Sequence, residues 1–239
     1  MRTRLVNIGR MIFVIVLIAV VYAFSNKRNS NRKLQAVAVS FEDRSSALIT
    51  EAMVNKLLIQ KADSIAAVDK DIIDLNALEG RLNSHPMIRN ADVFLSLDGV
   101  LGARVTQRRP IARVASNPSY YIDEEGTKMP LSRVHSLRVP LVSGVSEDNL
   151  KPVTHVLNEI LADPFMVQHV VAIEQQRDST LIMRVRTYDF KILLGKPVNI
   201  KRKFQNFKAF YQKTIKDKTL GNYQLVNLMM DHQVVATKK

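Results

Sequence analysis

The sequence predicts an α+β protein: one N-terminal transmembrane helix, a small unit ordered strand-helix-helix-strand-strand, then a mostly antiparallel β unit with two helices. Three observations carry this. Met11–Phe24 is an unbroken apolar and aromatic run of fourteen residues. Ala91–Asp123 packs a hairpin, a proline stop and two new strands into one stretch. Beyond that stretch, strand-like alternation is interrupted by two patterns of helical spacing. At 239 residues the chain has room for one large domain or two small ones, and 46% hydrophobic with 24% charged residues is a globular composition.

The apolar run reads as an uncleaved anchor. Ile8–Ser25 supplies eighteen residues if Gly9 is tolerated and Arg10 snorkels to the interface. One rival is a cleavable signal peptide, with a basic start and Ala23-Phe24-Ser25 as a small-x-small site. A buried core helix is the other, and the following NKRNSNRK argues against it. Arg2, Arg4 and Arg10 before the run balance Lys27, Arg28, Arg32 and Lys33 after it, so flanking charge assigns no orientation.

Asn26–Lys33 is polar, basic and aperiodic, which predicts a linker. Leu34–Phe41 alternates and predicts a strand. From Ile49 the apolar spacing becomes helical (Met53, Val54, Leu57, Leu58), with Thr50 as cap. Gln60–Val68 reads as a connection. Asp74 caps a second helix with Leu75, Leu78 and Leu82 inward, ending before His85-Pro86. Ala91–Gln107 is a hairpin about Asp98-Gly99, a dipeptide suited to a type I′ turn. Arg108-Arg109-Pro110 stops it, since proline cannot donate a ladder hydrogen bond, and Arg109-Pro110 marks a domain joint.

Past the joint, strands are expected at Ile111–Ala115, Tyr120–Asp123 and Val139–Val142. Asn149–Ala162 has helical spacing with Pro152 in its first turn, and Asp163-Pro164 ends it. Strands follow at Val167–Glu174, Leu181–Arg186 and Phe190–Leu194. Asn199–Ile215 is a basic helix with Ile200, Phe204, Phe207, Phe210 and Tyr211 inward. Tyr223–Ala236 reads as one long final strand. The boundaries expected are a tail at 1–10, the membrane helix at 11–25, a linker at 26–34, and units at 35–108 and 109–239.

Absence of cysteine excludes disulfides, cysteine-ligated zinc, iron–sulfur clusters and thiol catalysis. The histidines at 85, 135, 155, 169 and 232 lack metal-ligand spacing. Gly195-Lys196-Pro197 is not a phosphate loop, and Ser30-Asn31-Arg32-Lys33 matches a nucleophile motif only as letters. Asp123-Glu124-Glu125 before Gly126 reads as an acidic turn rather than a cation site. No enzyme and no cofactor are expected.

A net charge of +13 suggests a polyanionic neighbour or a solvated basic face. Its densest run comprises Lys191, Lys196, Lys201, Arg202, Lys203, Lys208, Lys213, Lys216 and Lys218. A nucleic-acid surface would place aromatics on the exposed helix face, and here Phe204, Phe207 and Phe210 point inward, so nucleic acid is not expected. The final strand is either an edge offered to a partner or an internal strand that closes the sheet. Val226, Leu228, Met230 and Val234 share one parity, the core face, and Leu225, Asn227, Met229 and Asp231 the other.

The anchor, the unit behind it, Pro86 followed by Ala91-Asp92-Val93, Gly99, Arg109-Pro110, Tyr121-Ile122-Asp123 with Gly126, and Val226-Asn227-Leu228 together resemble the FtsQ/DivIB family of bacterial division proteins. The resemblance covers nearly the whole chain through the order of short motifs. It implies a POTRA (polypeptide-transport-associated) domain followed by a β domain, an inner-membrane location at the septum, a cytoplasmic tail and a periplasmic bulk. It further implies a non-enzymatic scaffold whose terminal strand pairs with the FtsB subunit of an FtsB–FtsL coiled coil. Other division proteins are possible partners too, and the N-terminal helix contacts lipid. Carried onto this chain, the partner contacts would be Tyr223, Leu225, Asn227, Met229, Met230, Asp231 and Gln233, with Lys201, Arg202 and Lys208 of the basic helix in support. Where the family often has Arg-Tyr after V-x-L, this chain has Met229-Met230, which puts the specific contacts in question. The alternative within binding modules is a POTRA-bearing envelope assembly or secretion factor.

Overall fold

The computed structural model describes residues 2–30, 34–43, 48–59, 73–132, 134–230 and 233–239. The chain divides into two units, one of Met1–Ser45 with Ile49–Gln107 and one of Ser46–Leu48 with Arg108–Lys239.

Helix α1 (Arg2–Ser30) takes in the expected membrane segment, the tail before it and part of the expected linker. Once an apolar run nucleates a helix, extending it costs little per residue, which explains its passage into the aperiodic flank. Among the described residues, no helix is long and apolar enough to cross a membrane. The expected span, Met11–Ser25, rises about 22 Å as a helix, short of the ~30 Å of bilayer hydrocarbon. Its side chains, described over 9–25, are all exposed.

The rest of the first unit follows the expected order. Strand β1 (Ala36–Phe41), helices α2 (Glu51–Leu58) and α3 (Leu75–Asn83), and strands β2 (Ile88–Leu95) and β3 (Val100–Gln107) form a three-stranded sheet ordered β1-β3-β2 with its two helices. β1 runs parallel to β3, and β2 antiparallel to it. Thr50 Oγ1 accepts from Met53 N at 3.3 Å and Asp74 Oδ1 from Ala77 N at 3.0 Å, so both expected residues cap their helices. Leu58, Leu82, Leu101, Ala103 and Val105 are buried between helices and sheet. The expected connection Gln60–Val68 lies outside the described residues.

The hairpin turn differs from the expected type I′. Gly99 N donates to Ser96 O at 3.1 Å, which centres the turn on Leu97-Asp98, and Gly99 follows at φ +82°. Positive φ is needed at one residue rather than two, and glycine supplies it without steric cost.

In the second unit, strands β4 (Pro110–Val114), β5 (Tyr120–Asp123), β6 (Lys128–Met129), β7 (Leu141–Ser143), β8 (Val170–Gln175), β9 (Leu181–Val185), β10 (Lys191–Gly195), β11 (Tyr223–Asn227) and β12 (Val235–Lys238) make one sheet. Its order is β12-β11-β10-β9-β8-β7-β4-β5-β6. Most pairings are antiparallel, but β4–β7, β7–β8 and β10–β11 are parallel. The last two are joined through helices: α4 (Lys151–Leu161) with α5 (Pro164–His169) between β7 and β8, and α6 (Ile200–Lys216) between β10 and β11. Val153, Val156, Leu157 and Ile160 of α4 and Phe204, Phe207 and Tyr211 of α6 are buried with Ile173, Met183, Ile192 and Val226 of the sheet in one core.

Helix α5 has no counterpart among the expected elements, and the strand expected from Val167 starts only at Val170. Asp163 Oδ1 accepts from Phe165 N and Met166 N, with Pro164 at the first helical position, so the residues that end α4 also start α5. The other carboxylate oxygen pairs with Lys208 of α6. Burial pulls the Asp163 pKa upward, but the Lys208 hydrogen bond and charge and the two backbone N–H groups outweigh it and leave the carboxyl below its usual range. The depressed folded value means the pair stabilises fully above the unfolded carboxyl's ~3.9, and that contribution disappears as pH falls through the folded value. Asp163→Asn keeps the cap and removes the charge. Its deficit against wild type, read from urea midpoints, is expected to be constant above about pH 5 and to close below about pH 4.

Candidate partner-binding site

The end of the sheet differs from the single strand expected over Tyr223–Ala236. β11 stops at Asn227 and β12 returns antiparallel to it from Val235. Asn227 causes the stop: its Oδ1 accepts from Met229 N at 2.8 Å, a local bond that competes with continuing the ladder.

β11 is consequently interior, paired with β10 on one side and β12 on the other. Tyr223, Leu225 and Asn227, all expected at the partner edge, lie on this interior strand. The Tyr223 ring meets Phe210 of α6 edge-on at 5.3 Å between centroids. Leu225 and Asn227 are half-buried on the sheet face opposite Val226. Met229 and Met230 are exposed in the turn, so Met230 leaves the core face expected for it; Leu228 remains buried. Gln233 is exposed, and Asp231 lies outside the described residues.

The edge itself is β12, comprising Val235, Ala236, Thr237 and Lys238. Lys239 N donates to Asn222 O at 2.8 Å, so strand alternation turns the backbone groups of 235 and 237 toward β11 as well. Ala236 and Lys238 then present N–H and C=O outward, on the side where the sheet order ends. The expected partner residues missed this strand. The polar interruption Asp231-His232-Gln233 is the signal that could have found it.

The basic helix is less uniform than its charge suggested. Lys203 is 5% exposed, and its ammonium donates to Leu194 O at 2.8 Å and Lys196 O at 2.9 Å, tying α6 to the end of β10. Lys201 stands 3.9 Å from Glu159, and Lys208 pairs with Asp163, while Arg202 is exposed. At the opposite end of the sheet, Asp123 is buried. Its Oδ1 accepts from Glu125 N and Thr127 N at 3.0 and 2.7 Å, and its Oδ2 lies 2.7 Å from Arg108 Nη1. Arg108 also reaches Glu125 at 3.2 Å, and Arg109 stands 3.8 Å from Glu124. The acidic turn is a clamp on the arginines ahead of Pro110, and Pro110 opens β4. Among the described residues, no group of three or more acidic or histidine side chains could hold a metal ion.

The nine-stranded sheet is mixed, backed by helices, and ends in the short strand β12. The model of the FtsQ/DivIB C-terminal related domain matches residues 109–237, more than half the chain. A 79-residue segment is 32% identical to "Cell division protein FtsQ" of Myxococcus fulvus, covering 32% of this chain and 27% of that relative. The chain belongs to the FtsQ/DivIB family, and its membership points to a role in cell division.

Proposed function

We propose that this protein is a non-enzymatic, membrane-anchored scaffold of the bacterial division machinery, whose β12 edge pairs with a strand of an FtsB/FtsL-type coiled-coil complex. The single observation behind this reading is the outer side of β12, unpaired among the described residues at the end of the nine-stranded sheet. Edge pairing needs no particular side chain at Met229 or Met230, because main-chain hydrogen bonds supply the affinity. Arg202 and the exposed lysines of α6 favour an acidic partner by complementarity.

Helix α1 supports the anchor. Only its central run, Met11–Phe24, is apolar on every side, and such a run favours a low-dielectric medium over water. With its polar ends at the interfaces, the tail would lie in the cytoplasm and both following units in the periplasm, at the septum. The first unit is proposed to be a POTRA domain.

Photocrosslinking in dividing cells tests the pairing. A crosslinker at Thr237 is expected to capture a coiled-coil division protein, and one at Leu225, on the interior strand, to capture none. A translocation barrel or secretion component captured at Thr237 would move the function to envelope assembly. Equal capture at both positions would remove β12 as the docking edge.

A further inference from the structure

Nine methionines and no cysteine make thioethers the only oxidisable sulfur in this chain. Met87, Met129, Met166 and Met183 are at most 5% exposed, whereas Met11 is 68%, Met53 38%, Met229 50% and Met230 53% exposed; of the exposed four, only Met229 and Met230 lie beside the edge strand. Met229 and Met230 follow directly on Leu228 where the chain leaves β11.

Met229 also has a structural task. Gly195, at the end of β10, has φ +76°, and a Cβ built there would stand 2.8 Å from Met229 Cγ and 3.7 Å from its sulfur. The methionine side chain therefore fills the space a residue at 195 would otherwise use, and it ties the turn to the end of β10. Two polar bonds assist it: Met229 N donates to Asn227 Oδ1 at 2.8 Å and Leu228 N to Leu193 O at 2.9 Å.

We propose that Met229 and Met230 are an oxidant-sensitive modification site that controls the order of the edge strand. With a peroxide as oxidant, a sulfur lone pair attacks the nearer peroxide oxygen, forming an S–O bond and breaking the O–O bond. The transferred oxygen's proton passes to the departing hydroxide, so the thioether loses two electrons and the peroxide is reduced to water. The product is a sulfoxide, a polar group in place of a flexible apolar one, and a thiol-dependent sulfoxide reductase reverses it. A sulfoxide on Met229 is more polar than the thioether, and it favours water and the Lys196 ammonium lining the same cavity over the close seat against Gly195. The side chain leaves its seat, the turn loses its tie to β10, and β12, held on one side only, frays.

The test uses the full chain in detergent micelles treated with hydrogen peroxide. Peptide mass spectrometry follows each methionine, and hydrogen exchange follows Val235–Lys238. Met229 and Met230 are expected to oxidise at least about tenfold faster than Met129, Met166 and Met183. Protection of β12 is expected to fall at least about threefold and to return after reductase treatment. Met229→Leu, which keeps the apolar contact without an oxidisable sulfur, is expected to hold β12 protection through the same treatment. Equal oxidation rates for exposed and buried methionines would overturn the proposal. So would undiminished β12 protection in protein oxidised at both positions, or loss of protection in Met229→Leu equal to that in wild type.

Discussion

Phe207→Ala is expected to lower the stability of the second unit by about 3–5 kcal/mol, the usual cost of deleting a buried aromatic ring. Phe207 is 0% exposed and sits where helix α6 meets the sheet. Its ring lies 6.2 Å from Phe165, 6.5 Å from Phe190 and 5.8 Å from Tyr211, so truncation removes contacts to α5, to the start of β10 and to its own helix at once. Each such ring pair is worth roughly 0.5–1.5 kcal/mol beyond burial alone. Against a total stability of about 5–15 kcal/mol for an ordinary domain, the loss is a large fraction. Urea unfolding followed by circular dichroism would show the midpoint falling with an unchanged slope. Phe207→Leu, which retains much of the volume, should recover most of it; a midpoint unmoved by Phe207→Ala would mean that the ring is not a core contact.

The second large effect concerns binding. Ala236→Pro is expected to weaken partner capture by at least about tenfold, or ~1.4 kcal/mol, while leaving β12 paired to β11. Alternation from the Lys239–Asn222 bond turns the Ala236 N–H away from β11, so proline there deletes an outward donor and obstructs an incoming strand. Thr237→Pro is the control. It deletes an N–H facing β11, so it should lower both partner capture and the hydrogen-exchange protection of β12. If Ala236→Pro binds as wild type does, a partner strand does not pair at this edge.

Much of the fold was legible in the sequence because its elements carry clean periods. Thr50 and Asp74 announced their helices, and Leu34–Phe41, Leu181–Arg186 and Phe190–Leu194 announced strands through period-two patterning. The final hairpin escaped for a geometrical reason. Val226 pairs with Ala236 and Asn227 with Val235, so residues on the two strands that share a face also share a parity. Val226, Leu228, Met230 and Val234 therefore keep one parity across the connection, broken only by His232, and the pattern reads as one long strand unless the polar run Asp231-His232-Gln233 is weighed. Asp163-Pro164 misled in another way: a helix start and a helix stop use the same residue types, and here they coincide. Lys203 lies three residues after Ile200 and next to Phe204, on the apolar face. Charge suggested exposure, but its long stem reaches carbonyls at the end of β10. The edge strand, and with it the most direct candidate for binding, was legible only through that short polar run at 231–233, not through apolar period.

The position of β4 bears on how the molecule would carry load. Residues 108–239 receive the chain through an inner strand, flanked by β5 and β7, and not through the rim. A pull from the amino side first meets the Arg108–Asp123 clamp, then draws β4 lengthwise against neighbours on both sides. Such shear strains many hydrogen bonds together, whereas a strand peeled from a rim yields them one at a time. If the far end of the sheet is held by a partner on β12, tension crosses every strand from β4 to β12 at right angles to the chain. The sheet then works as a tensile plate whose many parallel hydrogen-bond ladders share the load.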